Sequence, residues 1–370
     1  MPYLDHAATT PMRQCAIDAW VEHSGALNPG SQYAAGRRAN AVLADARERV
    51  AACLGADPVE VVFTGSGTEA NNIGVRGLFK ASPLTRTVST PIEHPAVLES
   101  VKLCGEVEWL PVGRSGHVED LSALDTPAAV AAVMWANNET GAIQPVEEAA
   151  ARAGAVGTPL HVDAVQVVGK LPVDFHALGA ATLAASAHKF GGPRGMGILL
   201  ARRSPAPKPV VVGGGQERGI RSGTVDVASA AATAAALEEA TREMAGEERR
   251  VATLRDALIR GTLAAVPDAA LTTTEPALSS HAHFVFEGAD TDSLLMLLDA
   301  SGIAASAGSA CAAGVARPSH VLEAMGFRDA EARGALRLTL GRTTTAEDVE
   351  RFVAVIGGIV EKARAAGALM

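Results

Sequence analysis

The sequence predicts an α/β protein with a mostly parallel central sheet flanked by helices, followed by a smaller α+β domain. Between about residues 57 and 215, short runs rich in β-branched residues alternate with longer helical patterns, which is typical of crossover units in a parallel sheet. After a long alanine-rich helical stretch at 226–265, strand and helix patterns continue in shorter alternation. A chain of 370 residues also exceeds the usual size of one domain, so we expect two.

The domain boundaries are predicted where these patterns change. We expect an N-terminal segment over residues 1–14 that joins the small domain, a large domain over 15–255 and a small domain over 256–370. Strands of the large domain are predicted at 59–64, 86–91, 129–136, 159–164, 180–186 and 197–201. The small domain is predicted to have strands within HAHFVFEG, IAAS and ALRLTL, helices within TDSLLMLLDASG and SHVLEAMG, and a last helix over 346–366. Thr345 and Asp348 have the spacing of a capping box before that last helix.

Composition and charge argue against several classes of protein. The chain is 48% hydrophobic and its formal net charge of -9 arises from mixed signs, so neither nucleic acid nor a membrane surface is expected as a partner. The first residues, MPYLDHAATT, lack the regions of a signal peptide, and no apolar stretch is long enough to span a bilayer. Four widely separated cysteines show neither zinc-site nor disulfide spacing. A cytoplasmic enzyme with free thiols is expected.

Lys189 is the most informative of the polar residues that follow the predicted strands. Ligands bind at the carboxyl ends of strands in open α/β sheets, and Lys189 follows a strand within SAHKFGGPRGMG. Lysine is also scarce, with six residues against 26 arginines. An amine in such a glycine-rich loop is suited to bind the carbonyl of pyridoxal 5'-phosphate (PLP). The alternative is an ordinary surface lysine.

Other strand ends supply groups that PLP requires. Asp163 ends a strand and is suited to keep the pyridinium nitrogen protonated, although a helix N-cap is the alternative. Gln166 is close enough in sequence to reach the phenolic oxygen of the ring. The GSGT segment at 65–68 is suited to bind phosphate through backbone N–H groups, although glycine-rich turns also bind nucleotides. His94 follows another strand and either stacks on the ring or is structural.

Nine segments occur in a characteristic order: YLDHAATTP, FTGSGTEANN, EHPAVL, NNETGAIQP, HVDAVQVVGKLPVDF, SAHKFGGPRGMG, GGGQERGIRSGT, SAGSAC and LRLTLGRTTT. In this order they resemble the cysteine desulfurases of the class V aminotransferase family. The resemblance covers nearly the whole chain. It implies fold type I of the PLP-dependent transferases, a homodimer, and the conversion of L-cysteine to L-alanine with transfer of sulfur.

The resemblance also implies roles for individual residues. Three are expected to be catalytic: Lys189 binds PLP covalently and moves the Cα proton, His94 stacks on the ring and shuttles protons, and Cys311 receives the sulfur as a persulfide. Further cofactor contacts are expected from Gly67, Thr68, Asn138, Asp163, Gln166, Ser186 and His188, and from Thr224 of the other subunit. Arg337 is expected to bind the substrate carboxylate, with help from Asn138 and Asn28.

Cys311 needs a loop that delivers it and a base that deprotonates it, because a free thiol has a pKa of roughly 8.5. The small residues of AGSACAAGVARP predict a flexible loop, and the alternative is a small buried cysteine. The resemblance further implies a protein that accepts the sulfur. An iron–sulfur scaffold protein, a tRNA-thiolation enzyme and an enzyme of thio-cofactor synthesis all remain open.

The sequence leaves three other interpretations open. The nearest is another class V PLP enzyme, such as a C–S lyase, a selenocysteine lyase or an aminotransferase, and Cys311 within SAGSAC argues against it. A non-catalytic scaffold subunit is disfavoured by Lys189, Asp163 and Arg337. No metal is expected, because the HAH pattern at 281–283 places alternate residues on one strand face, which is commonly structural. The chain also stops soon after the last predicted helix, where housekeeping relatives continue into a scaffold-binding tail.

Overall fold

A seven-stranded sheet forms the centre of the large part of the chain in the computed structural model, which describes residues 1–308 and 319–367. Its strands are β1 Val61–Thr64, β2 Arg86–Ser89, β3 Glu106–Trp109, β4 Val130–Met134, β5 Leu160–Asp163, β6 Thr182–Ser186 and β7 Gly197–Ala201. Their order is β1-β7-β6-β5-β4-β2-β3. Strands β3, β2, β4, β5 and β6 run parallel, whereas β7 is antiparallel to both neighbours. The predicted mostly parallel sheet is confirmed.

Every predicted strand of this sheet occurs, but several are shorter than predicted, and β3 was missed. The sequence of β3, EVEW, alternates charged with apolar residues, and three of its four residues are exposed. It pairs only with β2, at the edge of the sheet. The prediction relied on continuous apolar runs, which mark central strands that are covered on both faces.

Helices cover the sheet and connect it to the rest of the chain. They are α1 Gln14–His23, α2 Ala34–Leu54, α3 Gly67–Ala81, α4 Pro95–Lys102, α5 Val146–Ala155, α6 Phe175–Leu178, α7 Val227–Ala265, α8 Thr291–Ala300, α9 His320–Ala324, α10 Asp329–Ala332 and α11 Ala346–Gly367. None of the helices in the described ranges is both long enough and apolar enough to cross a membrane.

A second, antiparallel sheet lies beyond α7. It consists of β8 Ala270–Leu271, β9 His281–Val285 and β10 Ala335–Thr339, in the order β10-β9-β8. The strand predicted at IAAS is wrong: this segment forms only single bridges, from Ala304 to Tyr3 and from Ser306 to Arg337. The last helix agrees with its prediction, and Thr345 and Asp348 exchange the hydrogen bonds of a capping box before it.

Two large hydrophobic clusters contact opposite halves of α7. Ala230 and Leu237 belong to the cluster beneath the seven-stranded sheet, whereas Val251 and Leu258 belong to the cluster around the second sheet. The predicted boundary between residues 255 and 256 falls inside this continuous helix. The domain limits therefore stay a prediction.

Candidate active site

A cavity of about 630 Å³ lies at the carboxyl ends of the central strands and extends to the second sheet. A cavity of this size suits a cofactor together with a small substrate. Ten of the predicted site residues line it: Gly67, Thr68, His94, Asn138, Asp163, Gln166, Ser186, His188, Lys189 and Arg337. Asn28 and Thr224 are exposed and do not line it, and Cys311 lies outside the described residues.

Lys189 enters the cavity from a short helical turn that directly follows β6. Gly191 allows this turn, since its φ is 89° and a Cβ atom there would lie 2.7 Å from Cγ of Arg13. Nζ of Lys189 donates hydrogen bonds to the carbonyl oxygens of Ala7 and Ala8. Burial, assisted by the charge of Arg337, lowers the pKa of Lys189 to about 8. The amine is therefore close to losing its proton at neutral pH, as a nucleophile requires.

Asp163 ends β5 at the bottom of the cavity, where a chain of buried hydrogen bonds supports it. Its Oδ2 accepts from Nδ2 of Asn71 at 2.7 Å, and its Oδ1 accepts from the backbone N–H of Val165 at 2.9 Å. Oδ1 of Asn71 lies 2.8 Å from Nε2 of His161, whose Nδ1 lies 2.9 Å from Oγ1 of Thr182. Because Asn71 donates to Asp163, its oxygen must accept from His161, and every donor in the chain points toward the carboxylate.

The environment of Asp163 also affects its protonation. Burial raises its pKa, and the charge of His94 and the hydrogen bonds from Val165 and Asn71 oppose that rise. Burial lowers the pKa of His161 to about 3, so this ring is neutral at physiological pH. A cation placed against Asp163 would relieve the cost of its buried charge.

The N-terminus of α3 opens into the cavity beside the end of β6. Ser66 caps the helix, and its Oγ accepts from the N–H of Glu69 at 3.0 Å. Helix and strand approach so closely that a Cβ atom on Gly67 would lie 2.9 Å from Cβ of Ser186. The first N–H groups of α3, at Gly67 and Thr68, and the helix dipole favour an anion at this position. His188, hydrogen-bonded through Nδ1 to Thr9 at 3.1 Å, lines the same cavity.

Arg337 projects from β10 with its side chain 4% exposed. Its Nη2 donates to Oδ1 of Asp5 at 2.6 Å and its Nη1 donates to the carbonyl oxygen of Asn138 at 2.9 Å. Its Nε is buried and has no partner among the described residues. Asn28, which was expected to assist it, lies in an exposed turn outside the cavity, where its Oδ1 accepts from the N–H of Gly30 at 2.8 Å.

Comparison with known proteins agrees with this geometry. The family model of the class V aminotransferases matches residues 2–352. The chain belongs to the class V aminotransferase family. It is 47% identical to the IscS-like cysteine desulfurase of Mycobacterium tuberculosis, over 99% of this chain and 98% of that protein. It is 39% identical to the cysteine desulfurase NifS of Azotobacter vinelandii, over 98% and 93% of the two chains. A solved NifS-like protein superposes with a TM-score of 0.90 at 34% identity, over 98% and 99% of the two chains.

Several polar residues of this class V aminotransferase were not predicted to belong to the site. Glu139, Ser319 and His320 line the cavity, and Asp5 and Asn71 position Arg337 and Asp163. Asp5, Asn71 and Glu139 lie within segments quoted above for the family resemblance, but no role had been given to them. The sequence indicates that His161 is a polar residue within a predicted buried strand, but it does not indicate its hydrogen-bonding partners.

The histidines of the HAH pattern, His281 and His283, lie on β9. His281 and His283 are both fully buried. Nδ1 of His281 lies 3.0 Å from Oγ of Ser280, and Nδ1 of His283 lies 2.5 Å from Oγ1 of Thr272. Within residues 1–308 and 319–367, the group with metal-ligand geometry is a different one, Asp57, Glu60 and His176, of which Glu60 is buried and the other two are exposed.

Proposed function

We propose that this protein is a PLP-dependent cysteine desulfurase that converts L-cysteine to L-alanine and transfers the sulfur to Cys311 as a persulfide. The observation that supports this function best is the convergence of Lys189, Asp163 and Arg337 on one cavity. These residues offer an amine for a carbonyl cofactor, a carboxylate for a ring nitrogen and a guanidinium for a carboxylate. The relatives named cysteine desulfurases support the same function.

The residues of the cavity fit PLP. Asp163 is a buried carboxylate for which the ring nitrogen would be a cationic partner, and the N-terminus of α3 would bind the phosphate through Gly67 and Thr68. Ser186 and His188 adjoin that anion site, while His94, Gln166 and Asn138 line the part where the ring would lie. When bound there, PLP supplies an electron sink that stabilises negative charge at the substrate Cα.

The remaining residues would hold and deprotonate the substrate. Arg337 keeps Nε and part of its Nη hydrogens available for an α-carboxylate, which a guanidinium binds through two parallel hydrogen bonds. Nζ of Lys189, with its pKa near 8, would accept the Cα proton. Cys311 rests on the family resemblance. Its thiol would attack the substrate sulfur.

Product analysis tests the function. The holoenzyme is incubated with L-cysteine, and alanine, pyruvate, ammonia and protein-bound persulfide are quantified. We expect alanine and persulfide in equal amounts. Cys311→Ser should lose persulfide formation and retain the visible absorbance of the cofactor, whereas Cys15→Ser, whose hydroxyl can still donate to the carbonyl of Ala235, should behave as wild type. Pyruvate and ammonia as products would instead indicate a C–S lyase.

We also infer a homodimer in which the partner subunit's Thr224 completes the phosphate site. Two features support it: Thr224 is exposed outside this chain's own cavity, and α1 exposes the apolar side chains of Ile17, Trp20 and Val21. Sedimentation should give a dimer, and Thr224→Ala should weaken PLP affinity. Mixing and refolding Thr224→Ala with Lys189→Ala subunits should restore one complete site per hybrid. An unchanged PLP affinity in Thr224→Ala would contradict the assignment.

The destination of the sulfur and the cytoplasmic location stay predictions. Loading the protein with ³⁵S-labelled cysteine and identifying the cellular protein that removes the label tests for an acceptor. Fractionation of cells tests the location.

A further inference from the structure

Lys170 is a second lysine close to Lys189, and the proposed reaction gives it no role. It lies partly buried in the turn that follows β5, and it lines a smaller cavity of about 80 Å³ together with Lys189. It does not line the large cavity, where the cofactor and the substrate would bind. Any effect of Lys170 on the reaction must therefore pass through another side chain.

The turn after β5 brings Lys170 against Gln166. Backbone N–H groups in this turn donate to carbonyl oxygens four residues earlier, as in a helix, and side chains four residues apart lie on one face of such a turn. Gly169 has a φ of 79°, and a Cβ atom there would lie 2.6 Å from Cβ of Phe190. Glycine thus allows the turn to pack closely on the segment that carries Lys189.

The amide of Gln166 is held between a donor and an acceptor. Its Oε1 accepts from Nζ of Lys170 at 3.1 Å, and its Nε2 donates to the carbonyl oxygen of Ala7 at 3.0 Å. The same carbonyl accepts from Nζ of Lys189. Nε2 has a second hydrogen, which no residue in the described ranges accepts, and Gln166 lines the large cavity. The amide is therefore oriented to offer the cavity a donor.

The charge of Lys170 is not balanced by a nearby acid. Within residues 1–308 and 319–367 it forms no ion pair, and burial together with the charges of Lys189 and Arg337 lowers its pKa to about 7. Its charge also helps to lower the pKa values of His6, His188 and His281. A cation among other cations costs stability, and groups of this kind are common at functional sites.

We propose that Lys170 is a positioning residue that keeps Gln166 oriented as a hydrogen-bond donor toward the phenolic oxygen of PLP. The proposal rests on the proposed function, in which Gln166 lies beside the cofactor ring. The amine at Oε1 also polarises the amide, which strengthens the N–H groups of Nε2 as donors. A donor of this kind stabilises negative charge on the phenolic oxygen.

The first test is a pH titration of the visible absorbance of the holoenzyme without substrate. Negative charge on the phenolic oxygen favours a proton on the nitrogen that joins Lys189 to the cofactor, and a donor to that oxygen weakens this effect. Lys170→Met should therefore raise the pH midpoint of the absorbance change by about one unit, the effect of losing one hydrogen bond to a charged group. Lys170→Arg retains a donor and should remain close to wild type. Lys80→Met, at the exposed end of α3, is the matched control.

The second test separates positioning from a direct effect of charge. Gln166→Leu removes the amide and should raise the midpoint by itself. If Lys170 acts through Gln166, adding Lys170→Met to this variant should change the midpoint by less than about 0.3 units, because the two effects are not additive. An equal shift in both backgrounds would overturn the proposal, since Lys170 would then act through its charge alone. A wild-type midpoint in Gln166→Leu would also overturn it.

Chemical denaturation distinguishes a structural role from a positioning role. A structural role alone would lower the free energy of unfolding of Lys170→Met and leave the midpoint of its folded holoenzyme at the wild-type value, and this result would overturn the inference. Borohydride reduction followed by peptide mass spectrometry establishes whether wild type carries PLP on Lys189. Absence of PLP from Lys189 in wild type would overturn the proposed function instead.

Discussion

The floor and the wall of the cavity are built in different ways. The floor consists of Asp163 and Asn71, which line the cavity, and of His161 and Thr182, which support them; all four are buried and linked by side-chain hydrogen bonds of 2.7 to 2.9 Å. The wall consists of Arg337, Glu139, Ser319 and His320, which line the cavity, and of Asp5, which positions Arg337; among the described residues, Nε of Arg337 has no partner. A floor of this kind sets the charge of the site before a ligand arrives, whereas the wall retains groups for binding.

The largest expected effect comes from removing the charge of the floor. Asp163→Asn keeps the size of the side chain but leaves a cationic ring nitrogen without its partner. Loss of one partner of a buried pair costs about 3–5 kcal/mol, which corresponds to roughly 10²–10⁴-fold in kcat. Steady-state kinetics and the cofactor absorbance measure it. Asp174→Asn, at the cap of α6 outside the cavity, is the matched control. Wild-type kcat in Asp163→Asn would refute the role of the floor.

A change in the wall should affect binding of the substrate rather than the cofactor. Asp5→Ala removes the carboxylate that orients Nη2 of Arg337, a charged hydrogen bond of the kind that contributes about 1.5–3 kcal/mol. We expect KM for L-cysteine to rise about 10-fold, with kcat and the cofactor absorbance nearly unchanged. Asp5→Asn retains an accepting oxygen and should show a smaller increase. A fall in kcat without a rise in KM would show that this change in the wall alters the chemical step rather than substrate binding. The wall and the floor would then not be independent.

Asn71→Ala tests whether the floor acts as one unit. The substitution leaves Asp163 with one hydrogen bond fewer and deprives His161 of its acceptor. An unpaired buried polar group costs about 1–3 kcal/mol, so the free energy of unfolding should fall by that amount. The cofactor absorbance should also become more sensitive to pH, because Asp163 is then easier to protonate. Chemical denaturation and spectral titration measure the two effects, and a change in stability alone would show that Asn71 supports the fold but not Asp163.

The sequence predicted the site residues at the strand ends better than those of the wall, for a topological reason. Asp163, His94 and Lys189 each follow a strand, and the carboxyl ends of parallel strands meet at one edge, so their proximity follows from the order of strands. Arg337 was expected only through family resemblance. Its partner Asp5 lies 332 residues away, and no local pattern indicates such a contact.

The wrong prediction of a strand at IAAS also has a long-range cause. The IAAS segment is apolar enough to form a strand. However, its neighbours Tyr3 and Arg337 come from the two ends of the chain, and each forms only a single bridge with it. Conversely, no local sequence pattern explains Gly74, although a Cβ atom there would lie 2.3 Å from Nδ1 of His161. Helix α3 can approach β5 closely enough for Asn71 to reach Asp163 because this residue is glycine.

The floor also contributes to stability in a pH-dependent way, through His161. The pKa of His161 is lowered to about 3 in the folded protein, against about 6.5 in an unfolded chain. The unfolded state therefore binds a proton as pH falls below about 6.5, while the folded state does not until about pH 3. The stability due to the neutral ring is fully present above pH 6.5 and is lost as pH falls through this window, by about 1.4 kcal/mol per pH unit.

His161→Gln isolates this contribution, because glutamine can still donate to Asn71 but does not titrate. Between pH 7.5 and 4.5 the free energy of unfolding should fall less steeply in the variant than in wild type. The difference in slope should approach about 1.4 kcal/mol per pH unit, the value for one proton. Other buried histidines, such as His283, remain in both proteins and cancel in the difference. The offset at pH 7.5 gives the cost of altered packing separately. If the free energy of unfolding falls equally steeply with pH in the two proteins, His161 takes up its proton as readily in the folded state as in the unfolded state. The floor would then be more hydrated than its buried hydrogen bonds indicate.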